Sequence, residues 1–185
     1  MTHRVCPWWL GYWLISPLRK YSQDPQKVLA PYVHEGMTVL EPGPGMGYFT
    51  LEIARLVGPS GRVVAVDVQS KMLDRLKRRA AKAGLLERVD ARMSPADSMG
   101  LAQLNGSVDF SFAFAVVHEF PDAGRFFAEV AAASKPGATV LVAEPSGHVK
   151  GAAFDAELQA AAAAGLSFVE RPHIRRSHAA LFKKS

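Results

Sequence analysis

Residues 41–47 read Glu-Pro-Gly-Pro-Gly-Met-Gly, an acid followed by three glycines at alternate positions. Glycines at Gly43, Gly45 and Gly47 let a backbone approach a ligand with no Cβ in the way. Twenty residues after Gly47 stands Asp67, closing the apolar run Val63-Val64-Ala65-Val66. A carboxylate there can accept hydrogen bonds from both hydroxyls of a ribose. A third chemically able group is His118, whose ordinary pKa of about 6.5 suits proton transfer near neutrality. The glycine spacing argues against a dinucleotide, because position 48 is Tyr where the dinucleotide fingerprint has its third glycine. Glu41 argues the same way, since extra negative charge gains nothing beside a pyrophosphate. It would favour an ammonium or sulfonium ligand.

These residues need elements to hold them, and the pattern supplies them. Short β-rich runs at 38–41, 62–68, 89–93, 108–115 and 138–144 alternate with helical stretches, which predicts a parallel sheet with crossover helices. Several runs are apolar without alternation, as expected of strands covered on both faces. Asp24 followed by Pro25 predicts a short helix to about Val33. Lys71–Ala83 puts Leu73, Leu76, Ala80 and Ala83 on one face, with Gly84 as its left-handed cap. A helix over Ala123–Ser134 is stopped by Lys135-Pro136-Gly137. The alanine-rich stretch Ala152–Ala164 is helix-forming composition, stopped by Gly165. Leu166–Arg171 and His178–Lys183 are placed to pair as an antiparallel hairpin.

Composition bounds the rest. The chain has 185 residues, 49% apolar and 21% charged, with a mean hydropathy of +0.03. That excludes a disordered chain and a membrane bundle. Cys6 is the single cysteine, too few for a disulfide framework or a structural zinc site, and the histidines are scattered, so no metal is expected. The net charge of +5 belongs to the ends: residues 1–20 carry +3, residues 166–185 carry +4, and the body between sums to −2. No secretory signal or spanning segment is expected, and a cytoplasmic protein is, with peripheral membrane contact as one reading of the amino-terminal arm.

That arm, residues 1–22, precedes a domain over 23–185. Trp8, Trp9 and Trp13 fall within six positions, followed by Arg19 and Lys20. Three readings stay open: a lid over an apolar pocket, an interfacial anchor on anionic lipid, and a dimer contact.

Glu41, Gly43, Gly45 and Gly47 match, position by position, the first motif of class I S-adenosylmethionine-dependent methyltransferases, which the chain resembles from about Pro25 to Lys184. The resemblance implies a Rossmann-like, doubly wound, seven-stranded sheet, mostly parallel with a C-terminal antiparallel hairpin and helices on both faces. It implies S-adenosylmethionine as methyl donor, with Asp67 on the family's ribose-binding acid and Val68 beside it. Ala96 and Asp97 fall where the family borders the adenine, although Pro95 stands at the position of the family's acid. Ala113 and Phe114 close the fourth strand, and the loop through His118 and Glu119 follows it, where the resemblance places the methyl donor. His118 is the candidate base and equally a pocket-shaping residue, with Glu119 as a partner that could orient it. Arsenic-methylating relatives depend on several cysteines, so that activity is not expected. The expected acceptor is a small, apolar or amphipathic molecule. An RNA methyltransferase using the basic C-terminal hairpin, and a non-catalytic S-adenosylmethionine-binding regulatory or scaffold module, are the alternatives; the Asn-Pro-Pro-aromatic motif of nucleobase methylation is absent, Ala113-Phe114-Ala115-Val116 standing in its place.

Overall fold

Several of the seven strands are too apolar to face water on either side, and the chain buries them by alternating strand with helix. The computed structural model describes residues 23–95 and 97–185. Its strands are β1 (Thr38–Pro42), β2 (Arg62–Asp67), β3 (Val89–Met93), β4 (Val108–Phe114), β5 (Ser134–Pro145), β6 (Leu166–Glu170) and β7 (Ser177–Lys184). They form one sheet in the order β3-β2-β1-β4-β5-β7-β6. The helices are α1 (Pro25–Leu29), α2 (Thr50–Leu56), α3 (Ser70–Lys82), α4 (Ala123–Ala133) and α5 (Gly151–Ala163). The described residues divide into two compact units, 23–94 and 95–185, taken in turn below.

In the first unit β1 and β2 run parallel, as do β2 and β3. Val39, Leu40, Val63, Val64 and Ala65 are wholly buried, which is why these strands show no polar alternation. Asp24 caps α1 by accepting from the Gln26 N–H at 3.1 Å, and Pro25 takes the first turn where its missing donor costs nothing. The helix is shorter than its sequence suggests, ending at Leu29 ahead of Pro31. α3 buries Met72, Leu73, Leu76 and Ala80; Ala83 lies beyond it and is exposed. The helix stops in a Schellman motif: Gly84, at φ +68°, gives its N–H to Ala81 O, and the Leu85 N–H reaches Ala80 O.

In the second unit β4 and β5 are parallel, and β7 pairs antiparallel with both β5 and β6. The expected hairpin is therefore present, with β7 inserted next to β5. The Lys135-Pro136-Gly137 stop lies inside β5: the strand begins at Ser134, opposite Val108, and the register shifts before Phe110 meets Thr139. The core is aromatic. Phe126 and Phe127 of α4 are wholly buried, edge to face at 5.2 Å, and Phe127 lies 6.1 Å from Phe182 of β7. Such ring pairs add to the burial of their area. Among the described residues no helix is long and apolar enough to cross a membrane.

Phe127 joins α4 to β7, so its loss leaves a void that rigid neighbours cannot fill. Phe127→Ala should cost about 3–5 kcal/mol, read as a fall in the urea midpoint at unchanged slope.

Candidate active site

The first unit builds its site from the carboxyl ends of β1 and β2. Glu41 sits one residue before the end of β1 and Asp67 ends β2, in parallel register, so both carboxyls reach the same edge of the sheet. Between them the chain runs through the glycine turn. Gly43, Gly45 and Gly47 adopt φ of +64°, +54° and +82°, a backbone that L side chains rarely enter. The turn is tied from three sides. The Gly43 N–H donates to Val66 O of β2 at 2.9 Å, the Gly47 N–H donates to Pro44 O at 3.0 Å, and Arg79 of α3 donates through Nη1 to Met46 O. Arg79 belongs to a helix face that reads from sequence as solvated, yet burial pulls its pKa down and its guanidinium holds the loop.

Asp67 is turned onto that loop. Its carboxylate accepts the Gln69 N–H at 2.8 Å, and the nearby N–H groups of Gly45 and Val68 also favour its charged form. The two halves of the sequence motif thus lie side by side. Burial nonetheless pushes Asp67 up to about 6, the three amides opposing it. Glu41 is 3% exposed, and burial pushes it up to about 8, with the Asp67 charge adding to the effect. The Thr50 hydroxyl lies against it and favours its charged form, but neither Glu41 Oε2 nor Thr50 Oγ1 completes a hydrogen bond of good geometry. A buried acceptor left open in this way costs roughly 1–3 kcal/mol. A cationic ligand with N–H donors would satisfy it, and Gly45 has nothing within 4 Å of where a Cβ would stand, so a ligand can approach the turn there. Glu41, the loop and Asp67 therefore fit the ammonium and ribose of the expected donor.

The second unit carries the remaining candidates. Ala113 is buried in β4 opposite Val142, and Phe114 ends that strand opposite Ala143. Asp97 is exposed and pairs with Arg125 of α4 at 3.3 Å. Ala96 falls outside the described residues, as do Trp8, Trp9 and Trp13 with the whole arm. His118 lies on the turn after β4, and the carboxylate that meets its Nδ1 is Glu144, at the end of β5, rather than its neighbour Glu119. The hydrogen bond to Glu144 pushes the His118 pKa above 6.5.

Two of these groups escape a reading by motif. Glu144 repeats the signal that marks Glu41 and Asp67, an acid closing an apolar strand. Glu157 lies in the alanine-rich helix at a spacing with Phe154 and Ala161 that places all three on its buried face. Burial, then the Glu144 charge, pushes Glu157 up to about 8.

A family profile described as a methyltransferase domain matches residues 33–173. Over 109 residues the chain is 29% identical to the arsenite methyltransferase of Halobacterium salinarum, which covers 59% of this chain and 27% of that protein. Over 102 residues it is 29% identical to the demethylmenaquinone methyltransferase of Lactobacillus johnsonii, covering 55% of this chain and 41% of that one. The chain therefore spans well under half the length of these curated relatives. Among solved structures, a SAM dependent methyltransferase from Aquifex aeolicus shares the fold, with a TM-score of 0.86 over 98% of this chain and 100% of that chain at 24% identity.

The two glycines of the turn should separate packing from binding. A Cβ at Gly47 would stand 2.4 Å from Leu76 Cδ1 in the core, at φ +82°; Gly47→Ala should cost about 2–5 kcal/mol from backbone strain and overpacking together. Gly45→Ala meets open space and should cost only about 1–2 kcal/mol, while calorimetric affinity for S-adenosylmethionine falls at least as far as in the destabilised variant.

Proposed function

This chain belongs to the methyltransferase-domain family, and from that premise we propose that it transfers the methyl group of S-adenosylmethionine to a small, apolar or amphipathic acceptor. The observation that carries the proposal is the Asp67 carboxylate, whose charged form the Gly45 amide of the glycine turn favours, together with the buried Glu41 on the adjoining strand, whose Oε2 has no partner. Glu41 would take the donor's ammonium, Asp67 its ribose hydroxyls, and the turn at 43–47 would let the amino-acid end lie against backbone. Val68, Ala96, Asp97, Ala113 and Phe114 are the further donor contacts we assign, on the family resemblance. When bound, the donor supplies an electrophilic methyl carbon on a sulfonium. What the chain adds is alignment and exclusion of water, so a dedicated base is required only for acceptors that must lose a proton.

The two curated relatives are named for different acceptors, a metalloid oxyanion and a quinone precursor. Soft thiolates suit the former, and these 185 residues hold one cysteine, Cys6. An apolar ring acceptor fits this chain better. Its cluster of Trp8, Trp9 and Trp13 supports the same reading, as a cover for such a molecule or as an interfacial contact close to where it dissolves.

The two carboxyls set the pH dependence. Both must be ionised to pair with the donor, and Glu41 in the free protein holds its proton up to about pH 8. Affinity for S-adenosylmethionine should therefore rise from pH 6 to pH 8. Calorimetry at pH 7 in buffers of different ionisation enthalpy should show net proton release on binding. For stability the sign is opposite: a carboxyl raised from 4.5 to about 8 on folding stabilises fully below pH 4.5, and that contribution is lost as pH rises through 8. Glu41→Gln should thus stabilise the ligand-free chain at pH 8.5 by on the order of a few kcal/mol, read as a higher Tm. The same change should weaken donor binding at least tenfold and abolish the proton release. A variant that binds the donor as tightly as the parent would remove Glu41 from the site.

A further inference from the structure

β4 and β5 end side by side, and the turn that follows β4 is folded around one carboxylate. Glu144 is wholly buried. Its Oε1 accepts the N–H groups of Val116 at 3.2 Å and Val117 at 2.8 Å, and its Oε2 meets His118 Nδ1. Ala115 holds a left-handed backbone at φ +56°, with its N–H on Ala143 O at 2.8 Å. That conformation costs roughly 1–2 kcal/mol in a residue with a Cβ. It turns the next two amides and the imidazole inward to the carboxylate together, and strain of this kind collects at functional sites.

An ionised carboxylate can only accept, so the His118 nitrogen facing it must carry the hydrogen. The ring's remaining lone pair is on Nε2, the nitrogen that does not face Glu144, and the His118 side chain as a whole is 30% exposed. We propose that Glu144 is a positioning residue that holds His118 in its Nδ1–H form, and that Nε2 takes the proton of a phenolic or enolic hydroxyl on the methyl acceptor. The proposal rests on the methyl-transfer reading above and narrows its acceptor class. In the step, the acceptor oxygen bonds the methyl carbon, the carbon–sulfur bond of the donor breaks with its electron pair left on sulfur, and the hydroxyl proton moves to Nε2. The resulting imidazolium is paired with the Glu144 carboxylate. A phenol, with a pKa near 10 like that of tyrosine, is well matched to an imidazole base; an aliphatic alcohol is a much weaker acid and should be the poorer acceptor.

The groups around the ring agree on its charge. Glu144 faces it from β5, Glu119 from its own turn and Glu157 from α5. Glu157 is buried with Oε2 unpartnered, and burial, then the Glu144 charge, pushes it up to about 8. His178 of β7 stands opposite Glu144 in the ladder, stacked on Phe154 at 5.5 Å. The net effect raises the His118 pKa, so the free base is populated only above the ordinary value of 6.5.

Glu144→Gln is the informative change. The amide keeps an oxygen for the Val116 and Val117 amides, so the turn is preserved. It presents an NH2 to His118, which reverses the tautomer and leaves Nε2 protonated and useless as a base. The test follows the 15N resonances of His118 against pH in the full chain, and methylation of a naphthol and of the matching naphthylmethanol with S-adenosylmethionine. In the parent, the neutral ring should carry its proton on Nδ1 and titrate above 6.5. The naphthol should be the better acceptor, with kcat rising through the same midpoint. In Glu144→Gln the neutral ring should carry its proton on Nε2, the midpoint should fall, and kcat should drop by roughly ten- to a hundredfold with the donor Kd within twofold of the parent. Glu144→Asp should restore part of it. An unchanged tautomer or kcat in Glu144→Gln overturns the inference, as does donor binding with neither probe methylated or with both methylated equally. Failure of the parent to bind the donor overturns the donor reading instead, and an Nε2–H ring in that parent would overturn this one as well.

Discussion

Taking a carboxyl group out of water at the end of a buried strand is expensive, and this chain does it repeatedly. Glu41, Asp67 and Glu144 each close an apolar strand of a parallel pair, where helices cover the faces and the only opening is at the carboxyl edge. The cost of that burial shapes everything beside it. Backbone amides must be turned toward the acids, which requires tight turns, and tight turns require left-handed residues. Asp67 collects the amides of Gly45, Val68 and Gln69; Glu144 collects those of Val116 and Val117 through a strained Ala115. Glu41 gains no such amide among the described residues, and its Oε2 is left without a partner.

That difference divides the acids by role. Amides from the protein itself fix where the other two carboxylates point, Asp67 onto the glycine turn and Glu144 onto the His118 ring. A carboxylate left without enough donors is costly alone and gains from a ligand that brings them, which is how binding energy is stored in a folded site before the ligand arrives. The glycine turn works with it. Its backbone is pinned by β2 and α3, so the turn beside Glu41 is ordered by folding, and under the proposed function a ligand would not have to order it on binding.

Much of the fold was legible in the residues. The alternation of apolar strands with amphipathic helices, the Gly84 and Gly165 stops, the Asp24 cap and the closing hairpin all rest on local chemistry, and local chemistry reads directly from sequence. The exceptions were equally local in kind but not in cause. Lys135-Pro136-Gly137 looks like a helix stop before a new strand, and is instead an excursion within β5, because Ser134 can pair with Val108 before the chain bulges out. Arg79 has the spacing of a solvated side chain and serves the loop, since its reach depends on where α3 lies and not on its own turn of helix.

The site divides along the same line. Spacing along a strand–turn–helix–strand run was enough to single out Glu41, the three glycines and Asp67 as candidates, because alternate glycines and an acid at a strand end have few other uses in that order. Partnership across elements was decided by tertiary structure alone. Glu144 is twenty-six residues from His118, and nothing along the chain distinguishes it from Glu119 as that histidine's partner. Only the parallel pairing of β4 with β5 brings the buried acid to the ring, and only packing of the alanine-rich helix turns Glu157 inward. The physical reason is range: a turn is set by neighbours in the chain, whereas a proton's position is set by whichever charge the fold places nearest in space.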